Sequence, residues 1–319
     1  MELSIDRRKK TIIFGLSGGR GLATSISESL GISVGAYFYR KFNDGEQIVY
    51  PLQSVREKRV FVVQSFRQKV DEQLIELLLF IDSLRRASVG KINLILPYIC
   101  YFRQDRQVEK RQPISGRLIA DLISLGPIDR VVTIDLHSPQ AAGFFNVKLD
   151  DIRLIKFWVN WIKANISLTD LVIGSADYGG VQKATKLASL LGVKMIFVDK
   201  KREDDTIMSR FLLGEVRGKD VCIVDDILDT GGTLLSAIKK VKEEGARKIY
   251  AVITHPVFSP RVFSLLSDAF SQDWLDLLVV TNTIPIDLEN TSLKPFLKKV
   301  VTVDVTKVII RWMNSILNP

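Results

Sequence analysis

The sequence predicts an α/β fold in which mainly parallel sheets are flanked by helices. Short runs rich in Val, Ile and Leu alternate with stretches of helical periodicity along most of the 319 residues. Because the runs are almost continuously apolar, they are typical of strands covered on both faces, as in a parallel sheet. The hydrophobic share of 46% and the charged share of 25% are those of a globular protein. At this length the chain accommodates two domains of ordinary size.

Ten strands follow from the apolar runs, and five helices follow from the stretches between them. The predicted strands cover residues 11–15, 34–38, 60–64, 92–97, 131–135, 171–174, 194–199, 221–225, 249–254 and 277–281. The predicted helices cover residues 73–87, 115–125, 154–164, 180–191 and 232–244. Two segments, 131–144 and 221–234, each lead from an apolar strand through Asp into a turn of small residues. We therefore expect two related domains, 1–152 and 153–300, and a C-terminal segment, 301–319, that packs back on the first.

Charge and composition narrow the classes of partner. The formal net charge is +9, but the Lys and Arg residues are spread along the chain without an Arg-rich tail. We therefore expect small phosphorylated ligands and no nucleic acid. The first residues lack the apolar core of a secretory signal, and no apolar run is long enough to span a bilayer. Two widely separated cysteines, Cys100 and Cys222, argue against a disulfide scaffold or a cysteine zinc site. These features predict a cytoplasmic protein without a membrane partner.

Three carboxylates and a glycine turn follow the apolar run that begins at residue 221. Asp225 and Asp226 end the predicted strand, and Asp229 precedes the sequence Thr-Gly-Gly-Thr at 230–233. Ligands of open parallel sheets bind beyond the carboxyl ends of the strands. Glycines let backbone N–H groups approach an anion, and the following helix N-terminus adds positive potential, so we expect a bound phosphate. Adjacent carboxylates suit vicinal hydroxyls, directly or through a divalent metal, which indicates a sugar phosphate. The simpler alternative is that Asp229 and the threonine after it only cap a helix.

This segment resembles the phosphoribosyl diphosphate (PRPP) signature of type I phosphoribosyltransferases and of ribose-phosphate pyrophosphokinases, also called PRPP synthetases. Four other segments are similar to the pyrophosphokinase pattern alone. They are FNDGEQIVYPLQSVREKRVFVVQS at 42–65, LPYICYFRQDRQVEKRQPISGRLIADLI at 96–123, TIDLHSPQAAGFF at 133–145 and THPVFS at 254–259. The resemblance covers roughly residues 10 to 290 in the family's order. It implies two phosphoribosyltransferase-like domains, with ATP-binding segments in the first and the ribose 5-phosphate and PRPP site in the second.

The resemblance implies a reaction and assigns residues to it. The pyrophosphoryl group of ATP passes to the anomeric hydroxyl of ribose 5-phosphate, giving PRPP and AMP. The expected catalytic cations are Lys200 and Arg202, in the charged stretch 198–205 that closes over the site in the family. The expected ATP-binding residues are Phe42, Asp44, Glu46, Arg103, Gln104 and Asp105. The expected ribose 5-phosphate residues are Asp225, Asp226, Asp229, Thr230, Gly231, Gly232 and Thr233. The segment around Phe42 reaches a neighbouring subunit in the family, which implies a homo-oligomer, either a dimer or a hexamer built from dimers.

Two residues are candidates for binding Mg²⁺ together with ATP. The resemblance places His137 and Asp177 at the metal, and it makes Asp177, Gly179 and Gly180 the pyrophosphate loop. Mg²⁺ prefers oxygen ligands, so the chemistry favours Asp177, whereas His137 rests on the resemblance. A lone histidine is more often a structural hydrogen-bonding group, and that alternative stays open for His137.

Some positions depart from the family pattern, and two other functions remain. Ala176 replaces the usual proline before Asp177, and Asp150 or Asp151 stands where many members carry an allosteric Asn. Together with a short C-terminal tail, this predicts weak allosteric inhibition by ADP. The alternative functions are a type I phosphoribosyltransferase, which would consume PRPP, and a catalytically silent regulatory member of the pyrophosphokinase family. A silent member would have lost loop residues, whereas Lys200 and Arg202 are present.

Overall fold

The protein forms two compact units. The structure, a computed structural model, describes residues 5–203 and 206–318, and for residues 5, 6, 199–203 and 206–211 it describes the backbone only. Of these residues, unit 1 comprises 5–152, 283–285 and 304–318, and unit 2 comprises the remainder, 153–282 and 286–303. In the described part of the chain, none of the helices has the length and apolar character needed to cross a membrane.

The elements alternate between strand and helix. In chain order the strands are β1 (Thr11–Gly15), β2 (Ser33–Val34), β3 (Tyr37–Lys41), β4 (Gln47–Pro51), β5 (Arg59–Val63), β6 (Lys91–Ile95), β7 (Ile128–Ile134), β8 (Lys148–Ile152), β9 (Leu171–Ser175), β10 (Lys194–Glu203), β11 (Thr206–Leu213), β12 (Asp220–Leu228), β13 (Lys248–Pro256), β14 (Leu277–Thr281) and β15 (Val300–Val303). The helices are α1 (Ile5–Lys9), α2 (Arg20–Leu30), α3 (Val70–Arg86), α4 (Ser115–Ser124), α5 (Ile155–Asn165), α6 (Val181–Leu191), α7 (Gly232–Glu243), α8 (Pro260–Ser271) and α9 (Thr306–Leu317). Short 3₁₀ helices cover Pro139–Phe144 and Lys294–Lys299.

Unit 1 is a six-stranded parallel sheet in the order β2-β1-β5-β6-β7-β8. Its central strands carry Val, Ile and Phe side chains that are almost fully buried, and helices α2 and α3 supply further buried apolar residues. Strands β3 and β4 form a separate antiparallel hairpin that packs on α3. The last helix, α9, packs on α2, and the Arg59 guanidinium donates to the Ile316 carbonyl over 3.0 Å. The C-terminal helix therefore belongs to the same unit as the first strands.

Unit 2 is a seven-stranded sheet in the order β11-β10-β9-β12-β13-β14-β15. All neighbouring pairs are parallel except β10 and β11, which form an antiparallel hairpin at one edge. The core contains the apolar side chains of the central strands and of α7 and α8. Because consecutive parallel strands are joined by helices, the carboxyl ends of β9, β12 and β13 lie at one edge of the sheet.

The two mainly parallel sheets flanked by helices confirm the predicted fold class, but several element predictions were wrong or incomplete. The predicted strand 34–38 is divided between β2 and β3, because the chain turns at Gly35, where any Cβ would collide with the Phe14 ring. Strands β4, β8, β11 and β15 and helices α1, α2, α8 and α9 were not predicted. Strand β8, Lys-Leu-Asp-Asp-Ile, contains charged side chains at an edge of the sheet and therefore lacks the apolar signal of a buried strand.

Candidate active site

The carboxylates of unit 2 lie at the carboxyl edge of its sheet. Asp225 and Asp226 are part of β12, which continues to Leu228, so they do not end the strand as predicted. The Oδ1 atom of Asp225 accepts a hydrogen bond from the Asp226 N–H over 2.8 Å. Burial raises the pKa of Asp225 well above its usual range, and the charge and hydrogen bond of Asp226, then the charge of Asp177, raise it further. The charges of two predicted site residues, Asp177 and Asp226, therefore both act on the buried Asp225, an arrangement that favours hydroxyl donors or a cation nearby.

The turn after β12 is held by the segment that follows β13. The Ser259 hydroxyl donates to the Asp229 carboxylate, and the Ser259 N–H donates to the Asp229 carbonyl over 3.2 Å. Gly231 has φ +84°, and a Cβ there would lie 2.8 Å from a methyl group of Val262, so glycine is required. Gly231 is the N-cap of α7 and Gly232 its first residue. The capping alternative for Asp229 and Thr230 is therefore wrong, and Asp229 instead fixes the loop through Ser259.

The loop after β9 is closed on itself by its own aspartate. The Gly180 N–H donates to Asp177 Oδ1 over 3.1 Å, and the Ser175 hydroxyl donates to the Asp177 carbonyl over 2.6 Å. A Cβ at Gly180 would lie 2.7 Å from the Ser175 hydroxyl oxygen, so that glycine permits the close turn. The Tyr178 ring is exposed and lies 4.7 Å, between centroids, from the Phe197 ring. The loop therefore holds Asp177 at the sheet edge, where its charge acts on Asp225.

Lys183 is a site residue that the sequence analysis missed. It lies on α6, and its ammonium donates to the Asp225 carbonyl over 3.2 Å and to the Thr254 hydroxyl over 2.9 Å. Helical spacing from Gly180 places residue 183 one turn into α6, on the side of the site. That spacing is the signal that would have identified it.

In unit 1, the segment predicted to bind ATP through Phe42 is the turn of the β3–β4 hairpin. The Phe42 N–H donates to the Glu46 carbonyl over 2.8 Å, and the Glu46 N–H donates to Asp44 Oδ1 over 3.0 Å. The Phe42 ring is exposed, with the Arg40 guanidinium 4.8 Å from its centroid. The hairpin therefore presents an exposed aromatic ring and two carboxylates on a turn fixed by its own hydrogen bonds.

The other predicted ATP-binding residues of unit 1 follow β6. Arg103 donates to the Tyr98 hydroxyl over 3.3 Å, and Gln104 accepts from the Ser115 hydroxyl. Asp105 accepts from Gln140 over 3.3 Å, which joins this loop to the 3₁₀ helix after β7. The exposed His137 lies two residues before that helix, so these predicted residues share one edge of unit 1.

The two metal candidates belong to different compact units, and the regulatory candidates belong to unit 1. His137 belongs to unit 1 and Asp177 to unit 2. Among the residues that the structure describes, no three His, Cys, Asp or Glu side chains form a metal-binding cluster. Asp150 accepts from Arg130 and from the Trp312 indole, each over 2.7 Å, and Asp151 accepts from the Leu136 N–H over 3.0 Å. Both carboxylates therefore have structural partners inside unit 1, and weak ADP inhibition stays a prediction.

The predicted catalytic cations lie on the β10–β11 hairpin. The backbone of Lys200 pairs with Ser209 and that of Arg202 with Ile207. The predicted strand 194–199 therefore continues to Glu203, into the charged stretch that the resemblance expects to close over the site. The side chains of Lys200 and Arg202 lie outside the described part of the structure.

Comparisons with family models account for both units. The N-terminal domain of ribose phosphate pyrophosphokinase matches residues 11–125, and the phosphoribosyl transferase domain matches residues 148–262. The phosphoribosyl synthetase-associated domain matches residues 207–319. These matches include the segments that contain the unit 1 hairpin, the two loops of unit 2 and α9.

Whole-chain relatives give the same result. A ribose-phosphate pyrophosphokinase of Mycoplasma genitalium is 39% identical over 89% of this chain and 86% of its own length. One of Bacillus caldolyticus is 37% identical over 91% of this chain and 93% of its own length. The crystal structure of phosphoribosylpyrophosphate synthetase from Mycobacterium smegmatis superposes with a TM-score of 0.87 at 32% identity, covering 96% of this chain and 98% of that one.

Proposed function

Because the chain belongs to the ribose-phosphate pyrophosphokinase (PRPP synthetase) family, we propose that it converts ATP and ribose 5-phosphate into PRPP and AMP. The anomeric oxygen of the ribose forms a bond to the β-phosphorus of ATP as the bond from that phosphorus to the bridging oxygen of the α-phosphate breaks. AMP leaves with the bridging oxygen, and the anomeric hydroxyl loses its proton. The observation that carries this proposal is the group of Asp177, Asp225 and Asp226 beside the glycine turn of α7.

The unit 2 residues divide between the sugar and its phosphate. Asp225 and Asp226 accept hydrogen bonds from the ribose hydroxyls, because a diol provides two donors to an anionic pair. The turn 229–233 binds the 5-phosphate through backbone N–H groups at the N-terminus of α7, where the first turn contains no acidic residue. The Ser259 contact keeps Asp229 fixed in that turn. Binding of this kind positions the anomeric oxygen for in-line attack.

The phosphate chain of ATP requires cations. Lys200 and Arg202 stabilise the charge that develops on the transferring group, which is the main catalytic device of phosphoryl transfer. Mg²⁺ would neutralise charge on the ATP phosphates. It binds through one or two carboxylates together with substrate oxygens, so the oxygen ligand Asp177 fits it without a larger protein cluster. His137, with its exposed imidazole, would be the second protein ligand.

ATP recognition belongs to unit 1 in this proposal, and it involves a second copy of the chain. Residues 1–152 would form the ATP-binding domain, 153–300 the ribose 5-phosphate domain, and 301–319 a C-terminal segment of the first. Arg103, Gln104 and Asp105 would bind ATP within one subunit, whereas Phe42, Asp44 and Glu46 would reach the ATP of a neighbour.

The β3–β4 hairpin supports assembly into a homo-oligomer, a dimer or a hexamer built from dimers. Phe38 and Tyr50 stack at 5.0 Å on its outer face, and Ile48 is 40% exposed beside them. A second copy of the chain would cover these apolar groups.

The two unpaired, buried cysteines are consistent with a cytoplasmic enzyme.

The decisive experiment measures AMP release and PRPP formation from ATP, Mg²⁺ and ribose 5-phosphate, by chromatography and phosphorus NMR. We expect both products in equal amounts and no AMP when ribose 5-phosphate is omitted. Consumption of PRPP with a nucleobase and no AMP from ATP would identify a phosphoribosyltransferase instead. No turnover with either substrate pair, in a folded protein that binds ribose 5-phosphate, would identify a silent regulatory member.

A further inference from the structure

The support of the carboxylate pair changes at Asp225. Strand β9 pairs with β12 only as far as Ser175 opposite Val224, whereas β13 continues alongside β12 to Pro256 opposite Leu228. From Asp225 onward, β12 therefore has a strand neighbour on one side only. A backbone carbonyl inside a protein needs a hydrogen-bond donor, and an unsupported strand segment is free to shift.

The Lys183 ammonium supplies a donor at this point. It lies 3.2 Å from the Asp225 carbonyl oxygen and 2.9 Å from the Thr254 hydroxyl, so it joins β12 to β13 where β9 has ended. Lys183 reaches this position from α6, the helix that follows β9. Lys183 thus supplies a hydrogen-bond donor to β12 beyond the point where β9 ends.

The partner that anchors this ammonium is itself fixed. Thr254 is fully buried, and its hydroxyl also accepts from the Trp158 indole over 3.4 Å. The Thr254 carbonyl accepts from the Thr281 hydroxyl over 2.6 Å. Trp158 and Thr281 are both fully buried as well. The hydroxyl that accepts from the Lys183 ammonium is therefore held by a packed network that includes residues of β13, β14 and α5.

A cation is better suited to this position than a neutral donor. The Asp225 carbonyl belongs to a segment with two adjacent carboxylates, and Asp177 lies close to them. An ammonium behind the segment forms charge-assisted hydrogen bonds, which are stronger than neutral ones. It also lowers the cost of holding several carboxylates at one sheet edge.

We propose that Lys183 is a positioning residue for ribose 5-phosphate, acting through the backbone of Asp225 to hold the Asp225–Asp226 pair in the geometry that receives the ribose hydroxyls. This inference rests on the proposed function for the identity of the sugar phosphate. It assigns Lys183 to sugar binding and to no step of pyrophosphoryl transfer. It therefore distinguishes Lys183 from Lys200 and Arg202, whose proposed role concerns the phosphates of ATP.

The test compares Lys183→Met with Lys183→Arg in the full-length protein. The Met variant keeps the apolar stem and removes the charge, so we expect the KM for ribose 5-phosphate to rise about tenfold, with the KM for ATP within about twofold of the unchanged protein. Calorimetry should show the same loss in binding of ribose 5-phosphate alone. The Arg variant keeps a cationic donor and should recover affinity to within about threefold. Lys186→Met, an exposed lysine on the same helix, is the matched control and should behave as the unchanged protein.

Each outcome decides the inference. It is overturned if Lys183→Met binds ribose 5-phosphate as Lys186→Met does, or if both KM values rise together while the melting temperature falls. If Lys183→Met does not fold, Thr254→Val keeps the donor to the Asp225 carbonyl but removes the anchor, and about a threefold rise in the same KM is expected. Thr254→Ser keeps the hydroxyl, so its KM for ribose 5-phosphate should stay close to that of the unchanged protein. Equal KM values for Thr254→Val and the unchanged protein would overturn the inference. Failure of the proposed function is separate, since then the unchanged protein itself would release no AMP.

Discussion

The turn after β1 in unit 1 and the turn after β9 in unit 2 occupy the same place in two similar sheets, yet they use their amides differently. In unit 1 the Ser17 N–H donates to Glu76 over 3.2 Å and the Gly18 N–H donates to Gln64 over 2.7 Å. These oxygen acceptors come from α3 and from the residue after β5. In unit 2 the Gly180 N–H donates to Asp177, a residue of the same turn. The amides of the unit 1 turn are therefore bonded to acceptors from other elements, whereas the unit 2 turn supplies its own carboxylate as acceptor.

The acidic residue at each turn has different surroundings in the two units. Glu76 is 2% exposed and also accepts from the Ser17 hydroxyl and from Gln64, so it acts as an internal anion for the unit 1 turn. The charge of Asp177 instead acts on Asp225 together with the charge of Asp226, and both raise the pKa of Asp225 beyond the effect of its burial. The acidic residue of unit 1 is bonded within the fold, whereas we propose that a ligand relieves the repulsion among the carboxylates of unit 2.

The largest effect is expected for the unit 2 hairpin, which has no counterpart at the unit 1 turn. Lys200→Ala or Arg202→Ala should lower kcat by about 100-fold, with smaller changes in KM, because these cations act chiefly in the transition state. Steady-state kinetics with both substrates provides the measurement. Lys201→Ala, between them on the same strand, is the control and should retain kcat. A rise in KM alone would make the two cations ordinary binding residues.

Removing the internal anion of unit 1 should mainly affect stability. Glu76→Ala removes the acceptor of the Ser17 N–H and one of the acceptors of the Gln64 amide, and a buried group left unpaired costs about 2 kcal/mol. Chemical denaturation should show that loss, and Glu76→Gln, which keeps an oxygen acceptor, should lose less. If Glu76→Ala kept its stability and lost affinity for ribose 5-phosphate, the structural role assigned to Glu76 would be wrong.

Removing one carboxylate of unit 2 should mainly affect binding. Asp226→Asn should weaken ribose 5-phosphate by about tenfold, since it removes one charged acceptor from the pair that faces the diol. Calorimetric titrations with each substrate separate the two sites, and ATP affinity should change little. An equal loss for both ligands would indicate a shared metal or a structural role for Asp226.

The smallest effect concerns the pH dependence of unit 2 stability. The pKa of Asp225 is raised by burial and by Asp226, so ionising it costs the folded state stability as pH rises above the unfolded-state value. Asp225→Asn should therefore raise the melting temperature by about 2 °C at neutral pH, and the gain should vanish at acidic pH where both states are protonated. Thermal scans without ligand between acidic and neutral pH provide the check. A gain that is independent of pH would show that Asp225 is not the group responsible.

The sequence was sufficient to predict site residues that lie close together along the chain. The run from residue 221 to 233 contains its strand, carboxylates and turn glycines consecutively, so its place at a sheet edge could be predicted. Ser259 and Glu76 could not be found this way, because their partners are distant in sequence and the contacts depend on packing. For Lys183, the spacing from Gly180 could have indicated its side of α6, but its contacts with Asp225 and Thr254 could not be predicted. The predicted strand 34–38 failed for the same reason, since the obstacle at Gly35 is the ring of Phe14.

The placement of α9 has a consequence for biosynthesis. The Arg59–Ile316 hydrogen bond joins residues 257 positions apart, and all of the continuous segment 153–282 is synthesised between them. Domains fold in order as the ribosome releases them, at about 5–20 residues per second. The surface of α2 that packs against α9 therefore stays exposed while most of unit 2 is synthesised. Unit 1 therefore acquires its last helix, α9, only after unit 2 has been synthesised.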